Sequence, residues 1–173
     1  MTEKQENILR AALELFANEG FNATSTSKVA KHAGVSEGLI FRHFGNKEGL
    51  LQAILTEGEN KLKDLLVDIV MESEPKEVVR KTILMPTRVD ASDYNFWKLQ
   101  YKLKWELEVS NDKKMEPLIM ALTNAFQKLE YSDPVMEAEL LTIIVDGIGA
   151  SVLKGSKLEI GQMTSFLMKK YKV

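Results

Sequence analysis

Apolar residues recur at three- and four-residue steps in one segment after another, and that period predicts an all-α chain of about nine helices. A first helix is expected from about Glu3 to Asn18, with Ile8, Ala12, Leu15 and Phe16 on one face. Thr2 and Gln5 offer a capping box before it, and Gly20 stops it. Two short helices follow, one from Ser25 or Thr26 to His32 and one from Ser36 to His43. Asn46 can cap a fourth and much longer helix, which Leu50, Leu51, Ile54, Leu62, Leu65, Leu66 and Ile69 carry to about Met71. Glu72-Ser73-Glu74-Pro75 interrupts the pattern. Pro75 suits the first position of a fifth helix (Val78, Val79, Ile83, Leu84), which Pro86 ends or kinks.

Asp90-Ala91-Ser92 reads as a loop, and a sixth helix is expected from about Asp93 to Val109. Tyr94, Trp97, Tyr101 and Trp105 recur on one of its faces. Two readings stand for that stripe. It is the wall of an apolar ligand pocket, with Met85 and Met120 adding adaptable surface, or it is ordinary core, the commoner fate of aromatics at helical spacing. A seventh helix runs from about Asp112 to Leu129 with Leu118, Ile119, Leu122 and Phe126 inward. Ser132-Asp133-Pro134 is a strong start signal for an eighth, from Val135 to Leu153, which is apolar almost all round and so must be covered on more than one side. Gly147, Gly149, Ala150 and Ser151 give it a smooth strip that admits another helix closely. A ninth helix, about 159–171, presents Ile160, Met163, Phe166, Leu167 and Tyr171. The last two helices carry more apolar surface than one monomer's core needs.

The spacing from Ala30 to Ile40 changes this list of helices into a candidate function. A helix-turn-helix crosses two short helices closely, so it needs a small residue on the first, a sharp turn after it, and an apolar plug in the angle between them. Ala30, Gly34 and Ile40 fill those positions in register, with Val29, Ala33, Val35 and Leu39 around the joint. Glycine takes positive φ without a steric penalty, and Ser36 stands where the second helix needs an N-cap. The second helix of such a motif enters the DNA major groove. Its candidates to face DNA are Glu37, Gly38, Leu39, Arg42 and His43. Ser36 at its start and Thr24, Ser25, Thr26 and Lys28 at the start of the preceding helix are placed to meet phosphates, because helix N-termini favour anions. Gly38 costs about 1 kcal/mol relative to alanine inside a helix, which is tolerable where a backbone must come close to something.

Gly20-Phe21, Thr24-Ser25, Val29-Ala30, Ala33-Gly34-Val35-Ser36, Gly38, Phe41, Phe44 and Lys47-Glu48 together resemble the N-terminal domain of the TetR family of bacterial transcriptional regulators, over roughly residues 5 to 52. The resemblance implies that Lys47 grips the phosphate backbone from the first turn of the fourth helix. It implies that the chain dimerises by its last two helices, about 135–153 and 159–171, in a four-helix arrangement. It also implies a ligand pocket among the middle helices. One departure stands out. The family usually has a tyrosine where this chain has Phe41, and that hydroxyl commonly touches a phosphate; Phe41 cannot donate such a hydrogen bond.

Composition narrows the alternatives. Of 173 residues, 45% are hydrophobic and 28% charged, the profile of an ordinary globular protein able to bury a core. The net charge of −2 excludes a polybasic nucleic-acid coat, but Lys28, Lys31, Arg42 and Lys47 face a lone acid, Glu37, between Gly20 and Lys47. The absence of cysteine excludes disulfides and thiolate chemistry. The first residues carry no apolar run that reads as a signal peptide, and the eighth helix carries Glu137, Glu139 and Asp146, so no membrane span is expected and the cytoplasm is the expected compartment. No nucleophile–base constellation, glycine-rich phosphate loop or metal-ligand spacing occurs, so no catalytic residue, metal or cofactor is expected. The expectation is a homodimeric regulator, a repressor of a palindromic operator. Residues 1–46 would bind DNA and residues 47–173 would dimerise and sense a small molecule. The long fourth helix would carry movement of one to the other. A regulator without an effector, an activator, or a helical adaptor lacking specific DNA binding is the alternative.

Overall fold

A computed structural model describes residues 1–106, 112–156 and 159–173, the side chains of 104–106, 112 and 113 excepted. Among these are nine α-helices: α1 (Glu3–Glu19), α2 (Thr26–Ala33), α3 (Glu37–Phe44), α4 (Lys47–Val70), α5 (Pro75–Leu84), α6 (Tyr94–Glu106), α7 (Asp112–Lys128), α8 (Pro134–Leu153) and α9 (Ile160–Tyr171), with short 3-10 turns at Met85–Arg88 and Ala91–Asp93. The starts follow from their caps. Thr2 and Gln5 form the expected box, the Thr2 N–H donating to Gln5 Oε1 at 2.8 Å. Ser25 caps α2, Pro75 sits in the first turn of α5 after Glu74, and Asp133 with Pro134 opens α8.

The described helices fall into two compact units. The first holds Met1–Lys61 and α6. Ile8, Leu15 and Phe16 of α1, Val29 and Ala30 of α2, Ile40 of α3 and Leu50, Leu51 and Ile54 of α4 form one core with Phe96, Leu99 and Leu103 of α6. The packed unit therefore extends past the boundary at residue 46 that the sequence suggests. The early turns of α4 and the Phe96-Leu99-Leu103 stripe of α6 are spent on it. Gly58 of α4 lies so near the Phe96 ring that an added Cβ would overlap it.

The second unit holds Leu62–Ala91 with α7, α8 and α9. Leu66, Ile69, Val79, Ile83, Leu118, Leu122, Phe126, Leu141, Val145 and Leu167 make its core. Phe126, Tyr131 and Tyr171 form an aromatic group, with the Phe126 and Tyr131 rings 4.9 Å apart. The Tyr171 hydroxyl donates to Glu137 at 3.2 Å. Burial, with the Glu137 charge beside it, pushes that phenol up to about 12. Burial on α8 falls on Ala138, Leu141, Val145 and Ile148, a single stripe. The expectation of cover on several sides is unmet within one chain: Val135, Met136, Leu140 and Ile143 stay exposed, as does Phe166 of α9.

Candidate nucleic-acid interface

The joint between α2 and α3 forms as the spacing requires. Gly34 adopts the left-handed conformation (φ 67°, ψ 33°), and the Val35 N–H donates to the Ala30 carbonyl at 3.0 Å, closing α2 with the helix-terminating pattern glycine permits. Ala30 and Ile40 are buried at the crossing. The far end of α3 is closed by Gly45, also at positive φ, and Asn46 then caps α4 by accepting from the Gly49 N–H at 2.7 Å.

That frame leaves one side of α3 open. Gly38, Phe41, Arg42 and His43 are exposed, while Glu37 and Leu39 are half-buried. Arg42 and Lys31 carry no ion pair among the described residues. Lys31, exposed on α2, joins the candidate contacts, and nothing in its spacing distinguishes it in sequence from a solvated lysine. His43 is tied to α1 by a 3.3 Å hydrogen bond between Nδ1 and the Gln5 amide, and His32 pairs with Glu14 at 3.1 Å.

Several expected contacts are otherwise engaged. Thr24 is 1% exposed, and its hydroxyl donates to the Gly20 carbonyl at 2.8 Å. The expectation that it faces phosphate is therefore corrected: it closes the turn after α1. Thr26 donates to Glu37 at 2.6 Å, so that carboxylate braces the starts of α2 and α3 together. Lys28 pairs with Glu19. Ser25 remains exposed at the start of α2 with its Oγ accepting from the Lys28 N–H at 3.1 Å. Ser36 occupies the cap position of α3 without a side-chain capping bond. Lys47 lies half-buried over the Phe21 ring, 4.3 Å from its centre, and donates to the Phe21 carbonyl at 3.0 Å. An ammonium held at the rim by a ring and a carbonyl keeps hydrogen-bond capacity for an anion, since it has three N–H donors.

Gly38 has no role in the chain's own packing. Its φ is not in the left-handed region, and an added Cβ would meet nothing within 4 Å. Gly38→Ala is therefore expected to stabilise the free protein by up to about 1 kcal/mol while weakening its hold on DNA. Thermal melting and a DNA titration check the pair, and unchanged DNA affinity would remove the close approach assigned to this backbone.

The proposed ligand residues are divided between the two units. Met120 is 60% exposed in the single chain. Met85 packs against the second unit's core. Tyr94, Trp97 and Tyr101 are half-buried in the first unit, where the fully buried face of α6 is Phe96, Leu99 and Leu103 instead. The side chain of Trp105 and the expected continuation of the sixth helix to Val109 lie outside the described residues. A cavity of about 260 Å³ does open in the first unit, lined by Leu9, Arg10, Leu13, Ile54, Lys61 and Phe96 among others, and it includes none of the six. Among the described residues, no group of three metal-ligating side chains occurs and no helix is long and apolar enough to cross a membrane.

Residues 8–54 match the family described as bacterial regulatory proteins, tetR family. The uncharacterized HTH-type transcriptional regulator YerO of Bacillus subtilis (strain 168) is 37% identical over 87 residues, 48% of this chain and 30% of its own length. The chain spans about a third of the length of the first curated relatives it matches. Likeness to solved structures is more extensive. A putative transcriptional regulator from Saccharomonospora viridis, solved in complex with choline, shares the fold with a TM-score of 0.77 at 18% identity, over 98% of this chain and 95% of that one. AibR, solved in complex with isovaleryl coenzyme A and operator DNA, gives 0.70 at 20% identity over 96% and 97%. Residues 8–54, with their closed joint, are thus similar to that family's domain, and over nearly its whole length the chain shares the all-helical fold of these solved structures.

Proposed function

We propose that two copies of this chain pair through α8 and α9 and read a palindromic operator in the cytoplasm, repressing transcription by occupying it. The observation that carries the reading is the uncovered stripe on α8. Met136, Leu140 and Ile143 are exposed at four- and three-residue steps, Gly147 follows four residues on with open space above it, and Phe166 is exposed on α9. A second copy is the partner that buries the same residues on both sides of a two-fold axis. Two readers so related would span half-sites roughly 34–36 Å apart. Residues 1–46, together with Lys47 at the start of α4, carry DNA contact, with Ser25, Lys28, Arg42 and Lys47 on phosphates or bases, and the rest of the 47–173 segment carries pairing and sensing. Selection from random duplex DNA at low salt, where phosphate contacts are strongest, tests this: a palindrome is expected, and enrichment of unpaired half-sites alone would overturn it.

A small apolar effector that prefers a conformation with badly spaced readers would release the operator by shifting the population. Support comes from half-buried Tyr94, Trp97 and Tyr101 and from structural neighbours solved with choline and with isovaleryl coenzyme A. The exposure of Met120 and the place of Met85 in a packed core favour the competing reading, a regulator without an effector. Titrating candidate ligands into the operator complex separates the two.

A further inference from the structure

Phe41 stands on α3 with 49% of its surface exposed, one helical step from Gly38 on the same face and beside Arg42. Isolated exposed apolar residues are common, so exposure alone says little. The position says more. The ring lies on the helix that reads DNA, next to a backbone site whose missing side chain the chain's own packing does not require. A phenyl ring cannot hydrogen-bond to a phosphate or to a base edge. The apolar group that a base presents in the major groove is the thymine C5-methyl, and it distinguishes thymine from every other base there.

We propose that Phe41 reads a thymine through its 5-methyl group, Gly38 giving that base the clearance to approach, so that Phe41 sets sequence specificity. This rests on the operator reading above and asks a separate question of it. The probe is the most enriched duplex from selection, with each constant thymine replaced in turn by deoxyuridine, which removes the methyl and leaves the hydrogen-bonding edge intact. At one symmetric pair of positions, removal is expected to weaken binding about fourfold per methyl, roughly 15-fold for both half-sites. Elsewhere it should have little effect. Phe41→Ala is expected to bind the thymine duplex more weakly and to show no difference between thymine and deoxyuridine at that position. Phe41→Leu, which keeps an apolar side chain, should retain part of the difference. Circular dichroism of both variants establishes that they remain folded.

A wild-type protein indifferent to every methyl, a Phe41→Ala variant as sensitive as the wild type, or an enriched duplex without a constant thymine each overturns the proposal while leaving DNA recognition standing. The ring would then lie along the sugar–phosphate backbone. No enrichment of any sequence would instead sink the operator reading.

Discussion

A chain carrying Ile143→Glu and Phe166→Glu together is expected to run as a folded monomer and to lose roughly 100- to 10,000-fold in affinity for the palindrome, the usual worth of linking two weak binding modules. Both side chains are mostly exposed in the single chain, 69% and 64%, so removing them costs its core little. Glutamate is also a good helix former. In a paired structure the same positions would place like charges opposite each other in an apolar seam, where desolvation makes them costly. Light scattering reads the assembly state, and titration of whole and half palindromes reads the affinity. The half-site affinity should not change, because α3 is untouched. Gly147→Leu supplies a milder version. A Cβ at that position meets nothing within 4 Å in one chain, and the larger side chain would block a closely packed second helix. A glutamate variant that stays dimeric and keeps full operator affinity would put the interface elsewhere.

The reader is legible in the sequence because its joint is local. Ala30, Gly34 and Ile40 act at fixed offsets within eleven residues, and the turn that Gly34 takes is one that few other residues take without strain. Caps read well for the same reason: Thr2 accepts from the Gln5 N–H and Asp133 from the Met136 N–H, each three residues away. What the sequence hides is which neighbouring element supplies the partner of each polar side chain. Thr24 reads as a surface cap, but it is buried and its hydroxyl donates to the Gly20 carbonyl. Lys28 reads as a free cation, but Glu19 comes to it from another helix, and Glu37 is likewise taken by Thr26.

The sixth helix shows the limit most plainly. Two stripes share its period, Tyr94-Trp97-Tyr101 and Phe96-Leu99-Leu103, and periodicity alone cannot rank them. The fold buries the second, which has no polar atoms, and leaves the first half-covered, where the Tyr hydroxyls and the Trp N–H can still find partners. On α8 the ambiguity runs the other way. A helix apolar nearly all round is covered on one stripe only, and the surplus that periodicity reveals becomes visible as exposed Leu140 and Ile143.

Gly58→Ala is expected to destabilise the first unit by roughly 1–3 kcal/mol, the cost of forcing extra volume into a packed core, and to lower its Tm by several degrees. Helix propensity alone predicts the opposite sign, since alanine in place of glycine inside a helix gains about 1 kcal/mol. The two effects therefore compete, and packing should win. The added methyl lands on the Phe96 ring, and even with a cavity beside it that buried ring must give up part of its place in the core with Leu99, Leu103 and Ile54 to admit the methyl. Phe96→Ala alone should cost about 3–5 kcal/mol by leaving a cavity. In the Gly58→Ala background it should cost measurably less, because the methyl then has space and fills part of it. That coupling, read from a four-protein cycle of thermal or urea melts, is the specific signature of contact between the two sites. A Gly58→Ala protein that melts higher than the parent, with Phe96→Ala additive to it, would mean that α4 and α6 do not approach closely at Gly58. The glycine would then need some other explanation than the ring beside it.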